Sequence, residues 1–181
     1  MGRTDVAVLN ASIGGNQVLS PLSIHQPWRG GPAAIERIER DVLSLSGIKT
    51  VIWLEGINDF SDNGNAELEA VTSAMTQAVH RLRGAGIRVI GATLPSAFKS
   101  TRQGHGHSLQ NEKRQAFNQF ILTSGLHDAV VDIDKVLTNS NTGCLDALFD
   151  SDNTLGGPGD GLHPNRAGHA AMANEILKAI L

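Results

Sequence analysis

The 181 residues contain one cysteine, Cys144. A lone cysteine excludes an internal disulfide and a cysteine-rich metal site. Charge of one sign is also missing. The formal net charge is −3, with neither a basic tract nor an acidic tail. That speaks against a nucleic-acid groove or a membrane-surface patch. No apolar run approaches the ~18 residues of a membrane span. The opening MGRTDVAVLN lacks the basic-then-apolar order of a signal peptide, so the expected compartment stays at the cytoplasmic default. Internal repeats and low-complexity linkers are absent. So are the dinucleotide fingerprint G-x-G-x-x-G and the phosphate loop G-x-x-x-x-G-K-[ST]. No cofactor or metal is therefore expected.

What is present reads as one ordinary globular domain spanning residues 1–181, with 40% hydrophobic and 18% charged residues. Continuous apolar runs at DVAVLN (5–10), TVIWLE (50–55), IRVIGATL (87–94) and AVVDID (129–134) have the length and character of parallel strands buried on both faces. Helical stripes fall between them. Ile35, Ile38, Val42 and Leu45 share one face, and so do Leu68, Val71, Met75, Val79 and Leu82. Leu109, Ala116, Phe117, Phe120 and Ile121 make a third. Gly47, Gly84 and Gly125 follow these helices, where left-handed caps form easily. A last helix is expected to begin at Pro164. Alternation of this kind predicts a doubly wound parallel sheet, with its site beyond the carboxyl ends of the strands.

Three loops fall at that edge: NASIGGNQ (10–17), EGINDF (55–60) and DGLHPN (160–165). Gly14 and Gly15 let the backbone turn sharply and present N–H groups, which suits either a plain turn or an oxyanion. Asn58 carries a neutral amide donor. Asp59 beside it suits a cap or a bond to backbone amides. His163 precedes a proline, which keeps it out of the helix and on the loop. Asp160, three residues earlier, can accept its Nδ1–H and leave Nε2 as a base. The competing reading is a helix-capping histidine beside a surface aspartate. His105 and His107 lack a third ligand at metal spacing and read as a flexible loop. His25, His80, His127 and His169 read as solvated or packing residues. Cys144 reads as an inert thiol.

Together the three loops resemble the blocks of the SGNH hydrolases, the GDSL-type esterases and lipases. VLNASIGGNQ is similar to the glycine block, EGIND to the G-x-N-D block and DGLHPN to the D-x-x-H-P block, in the family's order. RVIGATLP and HDAVVDID resemble its intervening strands. The resemblance implies a flavodoxin-like, three-layer α/β/α sheet and a serine-dependent carboxylic-ester hydrolase acting on a small-molecule ester. It implies His163 as base, Asp160 as its orienter, and Asn58 and Gly15 as oxyanion donors, with Gly14 as the alternative glycine. The family's first block, G-D-S, is absent. The expectation is therefore a domain missing its first strand and following helix, and impaired or inactive for want of the nucleophile. Ser12, Ser61 and Ser96 lack that block's context; Ser12, in the glycine block, and Ser61, just past Asp59, are the candidate substitutes. A non-catalytic module binding an acyl or carbohydrate ester is the alternative, and a flavodoxin-like ligand or signalling domain is a third reading that leaves DGLHP unexplained. The interrupted sheet leads to a further expectation: Val6–Leu9 slides onto Val51–Leu54, another copy fills the gap, or the N-terminal part stays loose. Self-association follows from the second course.

Overall fold

The computed structural model describes residues 6–21, 30–102, 104–150 and 159–180. Three parallel strands form the sheet: β1 (Thr50–Trp53), β2 (Arg88–Ala92) and β3 (Ala129–Val131), in that spatial order. Val51 pairs with Val89 and Ile90 with Ala129. Neighbouring β2 residues point to opposite faces, and Val89 and Ile90 are both fully buried. The central strand is therefore covered on both sides, which is why its sequence is a continuous apolar run.

Helices form the outer layers. α1 (Ala34–Ile38) runs into a wide turn at Glu39–Leu43, and α2 (Leu68–Gly84) and α3 (Ser108–Thr123) follow. Their apolar stripes join Trp53 and Val89 in one core with Val71, Met75, Leu82, Phe117 and Ile121. Beyond β3 come α4 (Ile133–Leu137), α5 (Ala147–Asp150) and α6 (Arg166–Ile180). Ile90, Val131, Ile133 and Leu137 form the second core, with Phe149, Met172 and Ile176 packed against it.

The expected strand at 5–10 is not formed. Asp5 lies outside the described residues, and 6–10 adopt no regular structure. Val6, Val8 and Leu9 are 50%, 88% and 64% exposed. β-branched residues favour a strand only where a neighbour offers a ladder and a packing face, and β1 pairs on one side alone among the described residues. The other corrections are local. Leu45 falls beyond the first helix and is exposed. β3 ends at Val131 because Asp132 caps α4, its Oδ1 accepting from Lys135 N–H at 3.2 Å. Gly84 is still helical, and the left-handed residue is Gly86. α6 starts two residues after Pro164, because Asn165 is the better cap and its Oδ1 accepts from Gly168 N–H at 3.0 Å.

Candidate active site

The first half of the site joins two loops far apart in sequence. Asn16 N–H bonds Ile13 O at 3.1 Å and closes a turn. Gly15 occupies its third position at φ 79°, where a side chain would be strained. Beyond β1 the chain turns at Gly56 and presents Asn58, half-buried. The Asn58 side chain donates from Nδ2 to Asn16 O at 2.9 Å. A carboxamide carries a second N–H, so this arrangement sets an amide donor beside the glycine turn.

Buried charge anchors the same loop. Arg37 donates from Nε (3.0 Å) and Nη2 (2.7 Å) to Asn16 Oδ1, and from Nη1 to Ala11 O at 2.6 Å. Its other partners are Asp41 at 2.8 Å and Glu55 at 3.5 Å. Asp59 is 1% exposed and accepts from Val18 N–H and Leu19 N–H. Asp59 is expected to cap the following segment or bind its amides; instead its carboxylate accepts from a segment about forty residues earlier. In the sequence Arg37 shows only as a cation between Ile35 and Ile38 on an apolar stripe, and nothing there marks Asn16 as its partner.

The second half is local. Asp160 Oδ2 lies 2.7 Å from His163 Nδ1, and Oδ1 accepts from the backbone N–H of Leu162 (3.0 Å) and His163 (2.9 Å). Burial pushes the Asp160 carboxyl up, but the donors from His163 and Leu162 outweigh it and hold the group below its ordinary value. A carboxylate on Nδ1 fixes the proton there and turns Nε2 into the basic nitrogen. His163 is 60% exposed, so that nitrogen is open to a reactant.

The segment after β2 bridges the halves. Ser100 Oγ donates to Asp160 O at 2.7 Å, as does Thr101 N–H at 3.0 Å. Arg102 Nε lies 3.8 Å from Asp160 Oδ2. On the other side Asp62 N–H bonds Gly104 O at 2.9 Å, within the Asn58 loop's extension. The expected residues thus fall in two groups, His163 bonded to Asp160 and Asn58 bonded to Asn16 next to Gly15, tied through Ser100, Thr101, Arg102 and Gly104. No hydrogen bond joins the groups directly among the described residues.

Two of the three serines are committed elsewhere. Ser61 Oγ is buried and donates to Asn58 O at 2.6 Å, and Ser96 Oγ is buried and donates to Gly143 O at 2.6 Å. Ser12 is exposed and takes Asn10 Oδ1 on its backbone N–H. None of the three bonds His163. His107 is the N-cap of α3, its backbone N–H donating to Gln110 Oε1. His105 is pushed down by burial and next by the charge of His163. Among the described residues no three His, Cys, Asp or Glu side chains gather as a metal site. His80 and His169 stand on α2 and α6. His127 is buried against Gly91 with neither ring nitrogen bonded among the described residues. His25 lies outside the described residues.

Glu55 supplies a pH-dependent stability test. Burial pushes its carboxyl from an ordinary 4.5 up to about 7, Arg37 opposing and Asp59 adding to the rise. A raised carboxyl contributes stability below its unfolded value and loses it as pH climbs through the folded one. Glu55→Gln removes this dependence. Its melting temperature relative to the parent should rise between pH 5 and pH 8, by the equivalent of about 3 kcal/mol. A gap that stays constant with pH would show that Glu55 ionises without strain.

Fold and site define an α/β domain with a His–Asp pair beyond the carboxyl edge of a parallel sheet. The GDSL-like lipase/acylhydrolase family matches residues 2–171, and the chain belongs to that family. Solved structures agree on the fold. A GDSL-like lipase from Bacteroides thetaiotaomicron VPI-5482 superposes with a TM-score of 0.67 at 22% identity, covering 81% of this chain and 68% of that one. A carbohydrate acetylesterase from Sinorhizobium meliloti gives 0.61 at 12% identity, covering 90% and 74%. An acetyl xylan esterase gives 0.63 at 17% identity, covering 94% and 79%. No curated protein sequence matches significantly. No helix among the described residues is long and apolar enough to cross a membrane.

Proposed function

We propose that this chain carries the base and oxyanion machinery of a carboxylic-ester hydrolase acting on a small-molecule ester, and that its turnover is impaired because no Gly-Asp-Ser triplet stands in residues 1–181. The observation that carries the reading is the 2.7 Å bond from His163 Nδ1 to Asp160, which directs basicity to Nε2. In the complete reaction a serine hydroxyl gives its proton to Nε2 as its oxygen bonds the ester carbonyl carbon. The carbonyl π electrons move to oxygen, where Gly15 N–H and the Asn58 side chain hold the anion. His163 then returns the proton to the departing alkoxide, and water repeats the cycle on the acyl-serine. Without that serine the same base has only water to activate.

The missing triplet also supports a second reading, a module that binds acyl or carbohydrate esters without cleaving them. The acetylesterases among the similar structures make acetylated carbohydrate the first ester class to test. A fluorophosphonate probe and an ester-binding titration on the same preparation separate the readings. Serine labelling, mapped by mass spectrometry, supports a live nucleophile. Ester binding with no labelling and no turnover supports the module. Neither labelling, turnover nor binding would remove both.

A further inference from the structure

We infer that Asp59 is the positioning residue that sets the two oxyanion donors relative to each other, an inference that rests on the donor roles proposed for Asn58 and Gly15. Asp59 directly follows Asn58, so its backbone moves with the donor loop. Its carboxylate reaches back to the segment that leaves the glycine turn. Oδ2 lies 2.8 Å from Val18 N and Oδ1 3.1 Å from Leu19 N. Those amides stand three and four residues after Gly15. The Asn58 side chain closes the same connection from the other side, on Asn16 O at 2.9 Å. The two loops are thus joined at three points spanning Asn16 to Leu19.

The attachment is rigid for physical reasons. Asp59 is 1% exposed, and charge-assisted bonds to backbone N–H are shorter and stronger than neutral ones. Gln17 O and Val18 O in turn accept from Ala34 N–H (2.8 Å) and Ile35 N–H (3.4 Å), which docks the segment on α1. Arg37 separately holds Ala11 O on the far flank of the turn and the Asn16 side chain on its near one. Freed of Asp59, the segment leaving Gly15 loses two of its three ties to the Asn58 loop and turns about the one left at Asn16, which shifts Gly15 against Asn58. A neutral amide at position 59 offers one acceptor oxygen, and its NH2 faces an N–H donor.

The test compares the parent with Asp59→Asn, using Asp128→Asn as the structural control. Asp128 also accepts a buried-strand amide, Val89 N–H at 2.8 Å, but at the opposite end of β2. In D59N, amide exchange at Val18 and Leu19 should quicken at least about tenfold, and the NMR signals of Gly15 N–H and the Asn58 NH2 should move. Turnover of p-nitrophenyl acetate should fall roughly 10²-fold in kcat with KM held, as a small misplacement of reacting groups does. D128N should lose thermal stability and leave those signals in place. If D59N does not fold, Asp59→Glu keeps the charge, moves the carboxylate by one methylene and reads the same signals. A folded variant with unchanged Val18, Leu19, Gly15 and Asn58 signals overturns the positioning role. Equal turnover in the parent and Asn58→Ala overturns instead the hydrolase reading, and the NMR result on Asp59 still stands or falls by itself.

Discussion

Replacing His163 with alanine is expected to cut hydrolysis of a short activated ester to the rate without protein. General-base catalysis is typically worth 10²–10⁴-fold, and Nε2 of His163 is the basic nitrogen left open by the Asp160 bond. Asn58→Ala should fall as far, since losing one oxyanion donor costs roughly 10²–10³-fold. Asp160→Asn should cost less than His163→Ala if the aspartate only orients the ring. The carboxamide oxygen can still accept one of the three N–H groups now on Asp160. The measurement is kcat/KM on p-nitrophenyl acetate, with a melt of each variant to establish folding. Equal rates in the parent and both alanine variants would remove the argument for a site here. A larger loss in D160N than in H163A would mean that Asp160 does more than hold the ring.

The parts of this site legible in the sequence are those built locally. Asp160 and His163 are three residues apart, and the proline after His163 forces the loop that lets them meet. The apolar runs of β1, β2 and β3 and the stripe of α2 were equally readable, because each advertises its own buried face. Only β2 is buried on both faces, with Ile52 38% and Val130 37% exposed. In the expected α3 stripe Phe117 and Ile121 are buried while Leu109 and Ala116 are exposed. Contacts between distant segments were not. Asn58 meets Asn16 across 42 residues, and Asp59 meets Val18 across 41. Only the folded chain supplies those distances. The failures share a cause as well. VAVLN has the composition of a strand, but a strand is a relation to a neighbour, and residues 6–10 have none among the described residues. At Asn165 and Asp132, single capping side chains decided boundaries that proline's preference for a helix start and the apolar run placed two and three residues away.

Adding a strand–Gly-Asp-Ser–helix segment of about 30–45 residues ahead of Met1, the length of a strand and its crossover, should change the protein more than any point substitution. Among the described residues β1 is paired with β2 alone, and Ile52 on its uncovered face is 38% exposed. Val6, Val8 and Leu9 stand further out still. In the flavodoxin-like order 2-1-3-4-5, the added strand lies between VAVLN and β1 and gives both a ladder. Burying an aliphatic side chain contributes about 1.5–3 kcal/mol before ordering costs. A net gain of even 3 kcal/mol would raise the melting temperature by roughly 6–12 °C in a domain of this size. An open parallel edge is a template for another chain, so the parent should self-associate and the extended form should not. Turnover should rise most, because removing the nucleophile from a serine hydrolase costs roughly 10⁶-fold in kcat. The same extension carrying Gly-Asp-Ala separates the two effects: it should restore melting and size but not turnover. The measurements are calorimetry, sedimentation and ester hydrolysis on all three proteins. A parent that is monomeric, melts cooperatively and already matches the extended form in turnover would place the nucleophile within residues 1–181 and refute this account of the sheet.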